Sequence, residues 1–123
     1  MKYVILIHSN PQPWGHPTID FTEVGRSIPA DERAAMGKEF EQLLTDLSES
    51  GELISGQALG PADGAKLVRT GLNGRVTTDG PYAEAKEHLA GFFLIDVASQ
   101  ERAEEIAEQF GGPGDTIELR STM

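Results

Sequence analysis

The sequence predicts an α+β domain with two helices packed on one face of a mostly antiparallel sheet. Three observations predict it. Apolar, β-branched runs open the chain (Tyr3, Val4, Ile5, Leu6, Ile7) and recur at Gly91–Val97. Two stretches carry apolar residues at helical spacing, one between each pair of strands. A central segment reads as a hairpin around Asn73-Gly74. The resulting order is β-α-β, hairpin, β-α-β.

Taken in order, Lys2–His8 is apolar on both faces, which suits a central strand covered on each side. Ser9–Pro29 reads as a long irregular connection holding Pro11, Pro13, Pro17 and Pro29; connections of this length are uncommon in small domains and often functional. Ala30–Ser50 is a helix. Met36, Phe40, Leu43, Leu44 and Leu47 form one stripe, Pro29, Asp31 and Glu32 suit its first turn, and Gly51 suits its C-terminal cap. Leu53–Leu59 is a strand ending at Gly60-Pro61, and Lys66–Thr70 and Arg75–Thr78 flank the hairpin turn. Gly91–Val97 is a buried strand. Ser99 then caps a second helix with Ala103, Ile106, Ala107 and Phe110 on one side. Gly111-Gly112-Pro113-Gly114 stops that helix. Thr116–Arg120 alternates as a half-buried closing strand, Ile117 and Leu119 on one side, Thr116, Glu118 and Arg120 on the other.

The 123 residues make one domain, 1–123, large enough for a real core. Two helices cover one sheet face, yet Tyr3–Ile7 and Phe92–Ile95 are apolar on both sides. A homodimer covering the second face is therefore expected; the long loop folded back is the alternative. The absence of Cys rules out disulfides, thiol catalysis and Cys-based zinc sites. A net charge of −10 repels nucleic-acid backbones and anionic membranes. No apolar run reaches the length of a membrane span, and the first strand lacks the form of a signal peptide, so a cytoplasmic location is expected. Neither GPADG nor GGPG has the spacing of a phosphate loop, and there is no nucleophile elbow. No cofactor and no metal are expected; the partners expected are a second copy and a small-molecule ligand.

Chemistry-bearing side chains crowd into TTDGPYAEAKEHLAGFF, residues 77–93. Asp79 ends a strand beside a stiff Gly80-Pro81 corner, a good mount for a general base or an acceptor. The plain alternative is a carboxylate that caps its own turn. Lys86 can hold a substrate carboxylate or pair with Glu84 or Glu87. Tyr82 offers a ring and a hydroxyl to a ligand, or to the core. His8 ends the central strand and can exchange protons near neutral pH, or simply lie at the surface. His88 follows Glu84 by one helical turn, too few ligands for a metal site. His16 and Trp14 sit in the long loop, as a lid or as plain surface.

The same segment resembles the signature of the DGPF family, a branch of the YCII-related proteins. Asp79, Gly80, Pro81, Ala83, Glu84, Lys86, Glu87, Leu89, Gly91 and Phe92 match it, with Tyr82 in place of the usual Phe. The opening MKYVILI and closing TIELR are also similar. The resemblance implies a ferredoxin-like fold that pairs into a dimeric α+β barrel. Relatives on this fold include muconolactone isomerase and chloromuconolactone dehalogenase types, and some members accompany extracytoplasmic-function sigma factors. YCII proteins outside this branch carry a His in the first helix, proposed to pair with an Asp. That helix has no His here, so this dyad is not carried over. The Ser9–Pro29 connection is longer than usual, and His8 stands where relatives often have Tyr.

Two functions follow as expectations. One is a cofactor-free enzyme of isomerase or lyase type acting on a small carboxylate or lactone, with Asp79 and His8 catalytic and Lys86 and Tyr82 binding substrate. The other is a non-catalytic ligand-binding or regulatory dimer.

Overall fold

Four strands form one antiparallel sheet in the order β2-β5-β1-β6: β1 (Lys2–Ser9), β2 (Leu53–Ala58), β5 (His88–Asp96) and β6 (Thr116–Ser121). The computed structural model describes residues 1–81 and 86–123. β1 lies between β5 and β6 and is antiparallel to both, and β5 lies between β1 and β2. Each β-α-β unit is thus split by a strand of the other, the ferredoxin-like α+β arrangement. A separate two-stranded hairpin, β3 (Lys66–Gly71) and β4 (Gly74–Asp79), is inserted between β2 and β5.

Helix α2 (Ala30–Ser50) ends where Gly51 adopts φ +81, a left-handed cap that favours glycine. Its stripe delivers Phe40, Leu43, Leu44 and the fully buried Leu47 to the core. Met36, at the N-terminal end of the stripe, overhangs the core and is exposed. Helix α3 (Gln100–Phe110) starts where the Ser99 hydroxyl accepts the Arg102 backbone N–H at 3.1 Å, and it buries Ala103, Ile106, Ala107 and Phe110. Both helices meet the face carrying Tyr3, Ile5, Phe93, Ile95, Ile117 and Leu119. Alternation leaves Val4, Leu6, Phe92 and Leu94 on the opposite face, half-buried, with no helix or further sheet of the described residues layered over them.

The Ser9–Pro29 segment is not irregular throughout. A 3-10 turn occupies Thr18–Asp20, and a four-residue helix, α1 (Glu23–Arg26), follows a Thr22 cap that accepts from Gly25. The segment closes one end of the sheet rather than its open face. Its hydrogen bonds to the rest of the described chain include those from Trp14 and His16 to the Leu59 carbonyl, from Ser9 and Thr18 to the Asp115 carboxylate, and from the Arg33 guanidinium to the Asp20 carboxylate and the Ile28 carbonyl. β5 also starts earlier than its apolar run suggests. Register slips between Ile7 and His8, leaving Ala90 as an extra residue, and this bulge lets pairing continue to His88.

One ion pair locks the helical layer to the sheet. Arg102 of α3 donates two bonds, 2.8 and 2.9 Å, to the Glu52 carboxylate just before β2. Those bonds hold the Glu52 pKa below its ordinary 4.5, with the Ser50 hydroxyl adding to the effect. A lowered carboxyl pKa contributes stability that is complete above the unfolded value and lost as pH falls through the folded one. Arg102→Met is expected to cost about 1 kcal/mol at neutral pH for this partly exposed bidentate pair, a melting shift of roughly 3–5 °C. The gap between variant and wild-type melting temperatures should close on acidification below 4.5. A gap that persists at low pH would refute the assignment.

Candidate functional site

The C-terminal end of β1 gathers the polar side chains of the open sheet face. Across from β1, the β6 register places Thr116 opposite His8, Glu118 opposite Leu6 and Arg120 opposite Val4. His8 reaches diagonally, and its Nε2 lies 3.0 Å from Oε1 of Glu118. The second Glu118 oxygen is 3.3 Å from the Arg120 guanidinium. The His8 side chain is 30% exposed, shielded enough to hold a fixed geometry and open enough to be reached. Toward β5 its neighbour is Leu89, placed there by the bulge; two pairs further along, on the same face, Leu6 faces Phe92. Bulges commonly re-aim a side chain beside a functional site. The result is an imidazole–carboxylate–guanidinium row along one edge of an apolar strip. The carboxylate can orient the imidazole and balance its charge when protonated.

A cleft of about 340 Å³ opens at the same end of the sheet, between the hairpin base and the start of β5. Leu59, Pro61, Ala62, Ala65, Pro81 and Leu89 make its walls mainly apolar, and Glu87 and His88 supply its ionisable groups. Glu87 accepts the Thr116 hydroxyl at 2.9 Å, which ties the signature segment to β6. Leu59 is fixed from behind: its carbonyl accepts the Trp14 indole N–H at 2.9 Å and a His16 ring N–H at 3.1 Å. Trp14 and His16 therefore brace the cleft wall.

Asp79 lies at the base of the hairpin, 81% exposed and ion-paired with Lys66. It does not line the cleft. Among the described residues no hydrogen bond joins it to His8, which is engaged by Glu118. Lys86 is exposed beside the cleft residues Glu87 and His88. Tyr82 and Glu84 lie outside the described residues. Glu118 is the site residue that sequence reasoning missed. The available signal was the alternation of Thr116, Glu118 and Arg120, which puts all three on one side. Among the described residues no three His, Asp or Glu side chains converge as a metal site. No described helix is long and apolar enough to cross a membrane.

The model of the YCII-related domain matches residues 1–111. The chain belongs to the YCII-related family. A similar protein of this kind is an uncharacterised protein from Rhizobium meliloti (strain 1021), 38% identical over 77 residues. That match takes in 57% of this chain and 62% of the relative's length. The family-domain match, residues 1–111, contains the strand bearing His8, the hairpin and the Asp79–Phe92 signature, but stops before Glu118. The His8–Glu118 pair is thus built between the family domain and the strand just beyond its matched end.

Proposed function

We propose that this YCII-related protein, of the DGPF type by its signature, is a homodimer whose two open sheet faces pack together as an α+β barrel. Its chemistry is cofactor-free proton transfer, of isomerase or lyase type, on a small carboxylate or lactone. The observation that carries the reading is the His8–Glu118 pair, set at 3.0 Å against an apolar strip that this chain leaves uncovered. Dimerisation would turn that strip into the wall of an interior, where an oriented imidazole exchanges protons with a bound substrate. His8 is the proton-transfer group and Glu118 its positioning partner. Lys86 suits an anionic group at the entrance. Asp79, ion-paired with Lys66 at the surface, serves this reading as an anchor of the hairpin base rather than as a free base.

The test is hydrogen–deuterium exchange into a panel of small carboxylates and lactones, run beside thermal-shift binding. His8→Asn is expected to cut exchange by about 10²–10⁴-fold while binding persists, since general acid–base groups contribute on that scale. Glu118→Gln should cost less, roughly tenfold, because it acts through His8. Exchange that ignores both substitutions sinks the enzyme. The second reading, a ligand-binding or regulatory dimer, is favoured by the mainly apolar cleft and by the separate engagement of His8 and Asp79. It predicts thermal shifts with no exchange in the wild type.

A further inference from the structure

The β3–β4 hairpin stands off the body of the molecule. Its strands pair with each other and form no sheet with the other four. Every residue in it except Leu67 is exposed. Val68 and Val76 are 59% and 61% exposed, and Leu72 at the tip is fully so. The turn is well made, with Gly74 at φ +116 closing it. Even so, a lone two-stranded ribbon is marginal in water, and its two free edges invite pairing. Such an arm needs a surface to lie on.

Its charge says which. Residues 66–79 hold Lys66, Arg69 and Arg75 against Asp79, a net +2, which leaves −12 on the rest of a chain whose total is −10. Arg75 lies one residue from the turn, whereas at the base Lys66 and Asp79 pair with each other and the flanking Asp63 and Glu87 are acidic. Two such arms laid antiparallel about a two-fold axis bring each tip, with its Leu72 and Arg75, to the mouth of the other's apolar cleft, where Glu87 supplies the acidic group. Six residues per strand span roughly 20 Å, which sets the cleft-to-cleft distance.

We propose that the hairpin is an exchange arm: in the dimer, Leu72 of each chain enters the cleft walled by Leu59, Pro61, Ala62 and Leu89 of the second copy, and Arg75 faces that copy's Glu87. Each cleft is then closed by the other chain, and the free edges of the hairpins pair across the axis. The occupant is a second copy because reciprocity satisfies both ends of the arm at once. This inference deepens the dimer proposed above and rests on it.

The chain has no Cys, so Leu72→Cys introduces a single handle at a site whose side chain touches little. A benzophenone maleimide attached there is photolysed in a mixture of ¹⁴N- and ¹⁵N-labelled chains, with light scattering run on the same sample. The expected products join residue 72 of one isotopic chain to 59–65 or 87–89 of the other. Arg75→Glu should weaken dimerisation about tenfold or more, and adding Glu87→Lys should restore it. A dimer whose cross-links stay within one chain, or run to α2 or α3, overturns the arm and leaves the dimer standing. A monomer in light scattering overturns both.

Discussion

Phe110→Ala is expected to remove about 3–5 kcal/mol of stability, the range typical of a large aromatic deleted from a close-packed core. Phe110 is only 5% exposed and is the hub of an aromatic trio. Its ring lies 5.3 Å from Phe40 of α2, edge-on, and 4.7 Å from Phe93 of β5. Phe40 and Phe93 are themselves 6.2 Å apart, so all three pairs are in contact range. One side chain thus joins both helices to the sheet. Alanine would leave a void that neither helix can close without giving up its other contacts: Leu47 and Ile106, members of the same core cluster, are already fully buried. Against a total of about 5–15 kcal/mol for an ordinary domain, the variant should sit near the edge of folding. Urea unfolding at fixed protein concentration, with an unchanged slope and a lowered midpoint, is the measurement. Phe110→Leu should lose markedly less, because it keeps most of the volume. A loss below roughly 1 kcal/mol for the alanine variant would mean that the trio is not a joint.

The elements that sequence made legible are those whose side chains report a period. Phe40, Leu43, Leu44 and Leu47 in α2, and Ala103, Ile106, Ala107 and Phe110 in α3, can share one face only on a helix, and each set does face the core, with Leu47 and the four α3 residues buried and the other three packed against them. Gly51 announced the end of α2 because its conformation is one that other residues resist. The start of β5 was hidden by a bulge: Ala90 breaks the alternation, so pairing back to His88 leaves no clean pattern. The helix Glu23–Arg26 is too short for a period to show, and only its Thr22 cap could have marked it. The candidate site was less legible, because it is made by register rather than by neighbours in the chain. His8 and Glu118 are 110 residues apart and meet only because β1 and β6 pair as they do. The Asp79 partner could have been found. Counting outward from the turn at Leu72-Asn73 sets Lys66 opposite Asp79, and opposite charges there form an ion pair.

Leu6→Asp is expected to split the proposed dimer while leaving each chain folded. Leu6 sits mid-way along the central strand, between Phe92 on β5 and Glu118 on β6, and it points away from the helices, since its neighbours Ile5 and Ile7 face them. In a single chain the position is only half-buried, so a carboxylate there keeps water and costs little beyond β propensity. Between two packed faces the same group is buried, unpaired and present twice, once from each copy. At a desolvation cost of at least about 2 kcal/mol per copy, association weakens by roughly a thousandfold or more. The existing Glu118 would add like-charge repulsion to that cost. Sedimentation velocity across a micromolar concentration series should show dimers for the wild type and monomers for the variant, with unchanged far-ultraviolet circular dichroism. Leu6→Met, which keeps the surface apolar, should stay dimeric. A dimeric Leu6→Asp protein would mean that the partner copy covers some other surface. The His8–Glu118 pair would then face solvent, and proton transfer would lose the dry wall on which it depends.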